Sequence, residues 1–231
     1  MLENPQPYFN AFNLTAFSAM QATRIIAIRH GETTWNVDGR IQGHLDIPLN
    51  DVGLWQADQA AKALADESIA AIYSSDLQRA FVTAQAVAKV SNLTLNADPG
   101  LRERSFGDYQ GQTFKQVEAA DPDAAQRWRV REPGFAMPGG ESLLDLRTRI
   151  ATTVDRLAAA HAGEQIVLVA HGGVLDALYR LATRQELQAP RTWALANAAI
   201  NRLLWTPEGL TLIGWGDTTH LDNASRDEAH T

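Results

Sequence analysis

Residues 26–36 read IAIRHGETTWN. An apolar run that begins as RIIAI at 24 ends abruptly in an arginine, a histidine and a glycine. The run is short, β-branched and without alternation, the pattern of a strand buried on both faces. A buried strand ordinarily leads into small polar turn residues. This one leads into two groups that seek anions. The pattern returns at 165–173, QIVLVAHGG, where a second buried run ends in His-Gly.

Other elements fill the space between and around these two runs. PLNDVGLWQADQAAKALAD (48–66) predicts a helix capped by Asn50, with Val52, Trp55, Ala63 and Leu64 as its apolar spacing. IAAIYSS (69–75) reads as a second strand and LTLNA (93–97) as a third. DLQRAFVTAQAVAKV (76–90) reads as a helix with Asp76 near its start. Residues 98–140 are irregular by pattern, with short helices expected over 114–119 and 123–129. ESLLDLRTRIATTVDRLAAAH (141–161) is a long amphipathic helix capped by Ser142. VLDALYRLA (174–182) is another helix, and INRLLWT with LTLIGWGD flanks PEG as a closing hairpin. Strands that alternate with helices give an α/β fold with a largely parallel sheet. Ligands of such sheets bind beyond the carboxyl ends of the strands, where both His-Gly pairs fall.

The bulk properties narrow the function. The chain has 231 residues, 45% of them hydrophobic, enough for one sizeable core. Its net charge of −7 makes it a poor generic binder of nucleic acid or anionic membrane. An anion site must then be built locally from arginines. There is no cysteine, so disulfides and thiolate zinc sites are excluded, which suits a cytoplasmic protein. No run approaches the length of a membrane-spanning helix. Residues 1–22 lack the basic start of a secretory signal and read as an N-terminal extension to a single domain over 23–231. Met20, just ahead of the first strand, is an alternative translation start.

Four pieces carry chemistry: Arg29-His30-Gly31, Arg79, Glu103 and His171-Gly172. Each alone has an ordinary explanation, as loop decoration, a solvated helix residue, a surface ion pair or a helix start. Together they match what metal-free dephosphorylation requires. Arginine clamps a phosphate bidentately. A neutral imidazole can attack phosphorus, a positioned acid can protonate the leaving oxygen, and a second histidine can steady developing charge.

The successive motifs IAIRHGETTWN, IYSSDLQRAFVTAQAVA, LRERSFGDYQGQT, PGGESLLDLRTRI and IVLVAHGGVLDAL resemble those of the histidine phosphatase superfamily, in its phosphoglycerate mutase-like branch, from about residue 23 to 218. The resemblance implies a three-layer α/β/α sandwich with a mostly parallel central sheet. It implies His30 as the phosphorylated nucleophile, Glu103 as general acid and then base, and His171 with Arg29 and Arg79 around the phosphate. Asn36 matches a residue that helps hold the phosphate, Gln42 lies in a pocket-rim loop, and Gly172 would let the backbone come close. No metal or other cofactor is implied.

The branch holds both mutases and phosphatases. A mutase would need 2,3-bisphosphoglycerate as primer and a phosphohistidine shielded from water. The resemblance implies, for mutases of this branch, a tyrosine three residues after the acid, a lysine further on and an adjacent arginine pair. Here position 106 is phenylalanine, Lys115 is not clearly aligned, Arg129 and Arg131 are not adjacent, and Glu103 and His171 are only 68 positions apart. The expectation is therefore a phosphatase on a small phosphomonoester, ahead of a mutase. A metal hydrolase using His30, His44 and His171 and a non-catalytic phosphate-binding protein are remoter alternatives. Arg102, Arg104, Trp128, Arg129, Arg131 and Phe135 are candidates for an outer pocket, and the arginines flanking Glu103 are expected to point away from it. The expected partner is a small phosphorylated metabolite, with a homodimer as the candidate assembly and no role for nucleic acid or membrane.

Overall fold

The structure, a computed structural model, describes residues 22–222; the expected N-terminal extension lies almost wholly outside them. The elements run β1 (Thr23–Arg29), α1 (Thr34–Val37), α2 (Asp51–Ala63), β2 (Ala71–Ser74), α3 (Gln78–Ser91), β3 (Leu95–Ala97), α4 (Phe114–Ala120), α5 (Pro122–Arg129), α6 (Leu143–Ala159), β4 (Gln165–Ala170), α7 (Gly172–Thr183), β5 (Ile200–Thr206), β6 (Gly209–Asp217) and α8 (Thr219–Asp222). The six strands form one sheet in the order β3-β2-β4-β1-β5-β6. Its first four members are parallel, and β5 and β6 close it as the expected antiparallel hairpin.

Absence of alternation in β1 and β4 now has its physical reason. Ile25 and Ala27 of β1 enter one core with Leu146, Ile150 and Val154 of α6 and Val174 and Leu178 of α7. Ile26 and Ile28 enter the other core with Ala61 and Leu64 at the end of α2 and Ala80, Ala84 and Val87 of α3. Both faces of the sheet are covered, so the central positions, Ile25–Ile28 on β1 and Ile166–Ala170 on β4, are all apolar. The result is the expected three-layer sandwich. Smaller clusters around Trp128, Phe106 and Phe135 hold the 106–137 segment over the strand ends.

One helix differs in part from expectation. On α2, Leu64 is buried as expected, but Val52 and Trp55 are 47% and 38% exposed and Ala63 faces solvent, while Gly53, Ala57, Ala60 and Ala61 are buried. The chain after β1 crosses this face closely at Gly53, where a Cβ on Gly31 would lie 2.3 Å from the Gly53 carbonyl oxygen. The residue class that marks this face is small, not strongly apolar, so hydrophobic spacing found Leu64 and missed the rest. Asp76 lies just ahead of α3, as expected. Its carboxylate takes a bidentate contact from Arg102 at 2.7 and 2.5 Å, and Leu77 stands at the N-cap without a side-chain bond. Ser142 caps α6 as expected, in a capping box with Asp145 that contributes about 1 kcal/mol.

Candidate active site

Strand register brings the two histidines together. β1 and β4 are neighbours with Arg29 opposite Ala170, and the His30 amide donates to the Ala170 carbonyl at 2.9 Å. The next residue on each chain is a histidine. Their rings face one another with centroids 5.2 Å apart and planes at 58°, both buried. Nδ1 of His30 lies 2.7 Å from the Gly31 carbonyl oxygen. A carbonyl only accepts, so Nδ1 carries the proton and Nε2 presents a lone pair. Burial, reinforced by the Arg29 and Arg79 guanidiniums, holds the His30 pKa well below the ordinary value. Burial, then Arg79, then His30 itself does the same for His171. Both rings are neutral near pH 7.

Two arginines, Arg29 and Arg79, stand beside these rings; Glu103 acts on both and Asp46 on Arg79, but neither arginine forms an ion pair among the described residues. Arg79, in the first turn of α3, is 1% exposed. It donates to the carbonyls of Leu45 at 2.9 Å and Gly43 at 2.8 Å. Burial lowers its pKa to about 10, which leaves it cationic at neutral pH. Arg29 donates to the Leu195 carbonyl. The Thr83 hydroxyl ties the turn after His30 to α3: it accepts from the Gly31 amide at 3.0 Å and donates to the Arg79 carbonyl at 2.7 Å. Among the described residues, Nε of Arg29, Nε of Arg79, both ring nitrogens of His171 and Oε1 of Gln42 are buried with no partner. Buried polar atoms are nearly always paired. Arg29, Gln42 and Arg79 line one small cavity, and the two unpartnered guanidinium N–H groups suit a polar, anionic ligand there.

That cavity, of about 140 Å³, is lined by Arg29, His30, Asn36, Gln42, Arg79 and Glu103, among others. A larger cleft of about 370 Å³ adjoins it, walled by Arg104, Phe106, Trp128, Arg131 and Arg191, with Arg29 and Glu103 facing both. Glu103 thus stands between an inner anion pocket and an outer room for the rest of a ligand. The Gly173 amide points at both carboxylate oxygens, 3.1 Å from each. The Glu103 carbonyl takes bonds from His44 Nε2–H at 2.8 Å and Arg149 at 3.3 Å. Among the described residues, no group of three or more His, Cys, Asp or Glu side chains is placed to hold a metal ion, and no helix is long and apolar enough to cross a membrane.

The expected residues therefore meet, with corrections. Within the protein, the steric demand for glycine falls on Gly173. A Cβ at Gly172 would make ordinary contacts of 3.6 Å or more, whereas one at Gly173 would sit 2.3 Å from Glu103 Oε1. Arg104 does not point away from the site. Residues 102–104 follow a single 3-10 turn, Pro99–Leu101, and are not a strand, so alternation does not apply. Arg104 reaches the outer cleft, held by the carbonyls of Glu141 and Phe135. Arg102 does turn away, to Asp76. Arg129 pairs with Glu118 and Phe135 lies buried against Arg127, so neither lines the cleft. Arg149, Gly173, Arg191 and Asn197 were not singled out as contributors, and the glycine run after His171 was the one signal for any of them; His44, named only for the metal-hydrolase alternative, instead holds the Glu103 carbonyl.

The buried neutral histidines have a consequence for stability. In the unfolded chain each would have a pKa of about 6.5. Below that pH the unfolded state takes up protons that the folded state refuses. Stability is therefore lost as pH falls from 6.5, by up to about 1.4 kcal/mol per pH unit for each histidine, and levels off below their folded pKa values. Urea unfolding at pH 5.0, 5.75 and 6.5 should show this slope, and His171→Asn should reduce it. Parallel slopes in the two proteins would contradict the assignment.

The chain is 41% identical over 202 residues to phosphoglycerate mutase-like protein 4 of Arabidopsis thaliana, covering 86% of each. It is 37% identical over 206 residues to a metal-independent phosphoserine phosphatase of the same plant, covering 88% of this chain and 85% of that one. The solved structure of a mycobacterial glucosyl-3-phosphoglycerate phosphatase superposes with a TM-score of 0.77 at 34% identity, covering 85% of this chain and all of that one. A family model matches residues 25–218, through both histidine-bearing strands and the acid between them, and by that match the chain belongs to the histidine phosphatase superfamily, branch 1.

Proposed function

We propose that this chain is a phosphatase that hydrolyses a small phosphomonoester through a phosphohistidine on His30, without a metal. The observation that carries the reading is the neutral His30 ring, its Nε2 lone pair free, beside two arginines held by carbonyls and not by ion pairs. In the first step Nε2 attacks phosphorus, the bond from phosphorus to the ester oxygen breaks, and a protonated Glu103 gives that oxygen its proton. Arg29, Arg79 and His171 hold the equatorial oxygens as charge develops, with Asn36 and Gln42 at the rim. In the second step Glu103 takes a proton from water as the water oxygen attacks phosphorus and His30 leaves. The name of the phosphoserine phosphatase relative supports a metal-free route.

The outer cleft sets Arg104, Arg131 and Arg191 against Glu103 and Asp176. This excess of positive charge favours an acidic leaving alcohol, as in the substrates named for two of the relatives. A cysteine-free chain with such chemistry suits the cytoplasm. Phosphatase is favoured over mutase because Arg129 and Arg131 are occupied by Glu118 and Asp176, and Lys115 is exposed outside the cleft. The test is 3-phosphoglycerate supplied with and without 2,3-bisphosphoglycerate, read for released phosphate and isomerised product. Phosphate release should dominate both, resist EDTA and be inhibited by orthovanadate. Isomerisation that outpaces release in the presence of the bisphosphate would assign a mutase.

Arg79→Ala removes a buried, charge-bearing clamp. It is expected to cost on the order of 2–4 kcal/mol of transition-state stabilisation, roughly two to three decades in kcat/KM. A loss below threefold would take Arg79 out of the phosphate site.

A further inference from the structure

We propose that Asn197 is a positioning residue that turns the amide of Asn36 so that its NH2 end faces the phosphate. The proposal rests on the reading of the inner cavity as a phosphate pocket. Asn197 lies in the loop between α7 and β5. Its Nδ2 donates to the His30 carbonyl at 2.9 Å and to Asn36 Oδ1 at 3.3 Å. Asn36 Oδ1 also accepts from the Thr33 amide and the Thr33 hydroxyl, each at 3.0 Å. Two obligate donors, the Thr33 amide and the Asn197 NH2, fix which end of the amide is oxygen, because the flipped amide would set its own NH2 against both. Among the described residues, the nitrogen end of Asn36 has no acceptor. It is left to the cavity that Asn36 lines with His30, Gln42 and Arg79.

The backbone beside Asn197 is built for this placement. Ala198 adopts a left-handed φ of 55°, a conformation unusual for alanine. It is held there by its amide, which donates to the Arg29 carbonyl at 2.9 Å. The Leu195 carbonyl, two residues before Asn197, takes the Arg29 guanidinium. One short loop thus touches Arg29, His30 and Asn36 at once. Thr33 alone could hold Asn36 as a helix cap. The Asn197 bond is the one that links that cap to the residue bearing the nucleophile.

Binding of inorganic phosphate and of orthovanadate, measured by calorimetry, tests this separately from turnover. Asn197→Ala and Asn36→Ala should each weaken phosphate binding about tenfold, the size of one hydrogen bond to a charged group. The double variant should lose about the same tenfold, not a hundredfold, because the first residue acts through the second. Asn197→Asp keeps the size but sets a carboxylate against Asn36 Oδ1 and the His30 carbonyl. It should weaken binding further than alanine does, and it guards against a packing defect in the alanine variant. Phosphate binding by Asn197→Asp at the wild-type level, or losses that multiply in the double variant, would overturn the proposal alone. Wild-type protein that binds neither anion would overturn the pocket reading and the proposal with it.

Discussion

Replacing His30 with alanine is expected to abolish turnover, by about four to six decades in kcat, while the fold survives. The ring is buried where β1 ends, and its one protein hydrogen bond is to the neighbouring Gly31 carbonyl. It therefore ties no distant elements together. His171, 5.2 Å away between centroids, does not substitute for it, since no carbonyl fixes the tautomer of that ring. Brief incubation with phosphate-labelled substrate should leave acid-labile, alkali-stable label on wild-type protein and none on His30→Ala. Circular dichroism and the unfolding midpoint should show a folded variant. Full activity, or label retained on the variant, would remove His30 from the mechanism.

The second large effect is expected at Glu103 and depends on the leaving group. An alkoxide leaves phosphorus poorly, so the donor matters most for alkyl phosphates. Glu103→Gln keeps the shape and an oxygen for the Gly173 amide, and the His44 and Arg149 bonds go to the main chain. What is lost is the ability to deliver and recover a proton. Activity on alkyl phosphates should fall by about two to four decades. Activity on p-nitrophenyl phosphate, whose leaving group needs little protonation, should fall far less. Equal losses on both substrates would leave Glu103 as a positioning residue only.

The parts of the site that the sequence displayed are those carried by side chains at the ends of regular elements. His30 and His171 follow apolar runs buried on both faces, so the runs located them and the parallel pairing made them neighbours. Arg79 and Glu103 stood out once those ends were fixed. The support around them was not legible. Arg79 is oriented by the carbonyls of Gly43 and Leu45 and Arg29 by that of Leu195, and any residue type can supply a carbonyl. Most of the packing face of α2 was missed because glycine and alanine mark it. Arg104 was placed on the wrong side because an irregular segment was read with the periodicity of a strand.

The sheet order has a consequence for how the protein comes into being. β1 is the first strand made, yet both of its partners come late: Arg24 pairs with Gln165 and Thr23 with Trp205. The strand that delivers His30 has no neighbour in the sheet until most of the chain exists. At about 5–20 residues per second of synthesis, β1 spends on the order of ten seconds or more as an unpaired segment with an apolar centre, Ile25–Ile28, awaiting partners. Pairings of this sequence separation are slow to close and leave such segments prone to association in the meantime. A chain that ends before β4 carries His30 but not His171, and lacks the strand that lies between β2 and β1. The pocket that holds both histidines therefore cannot assemble until the last third of the chain is available.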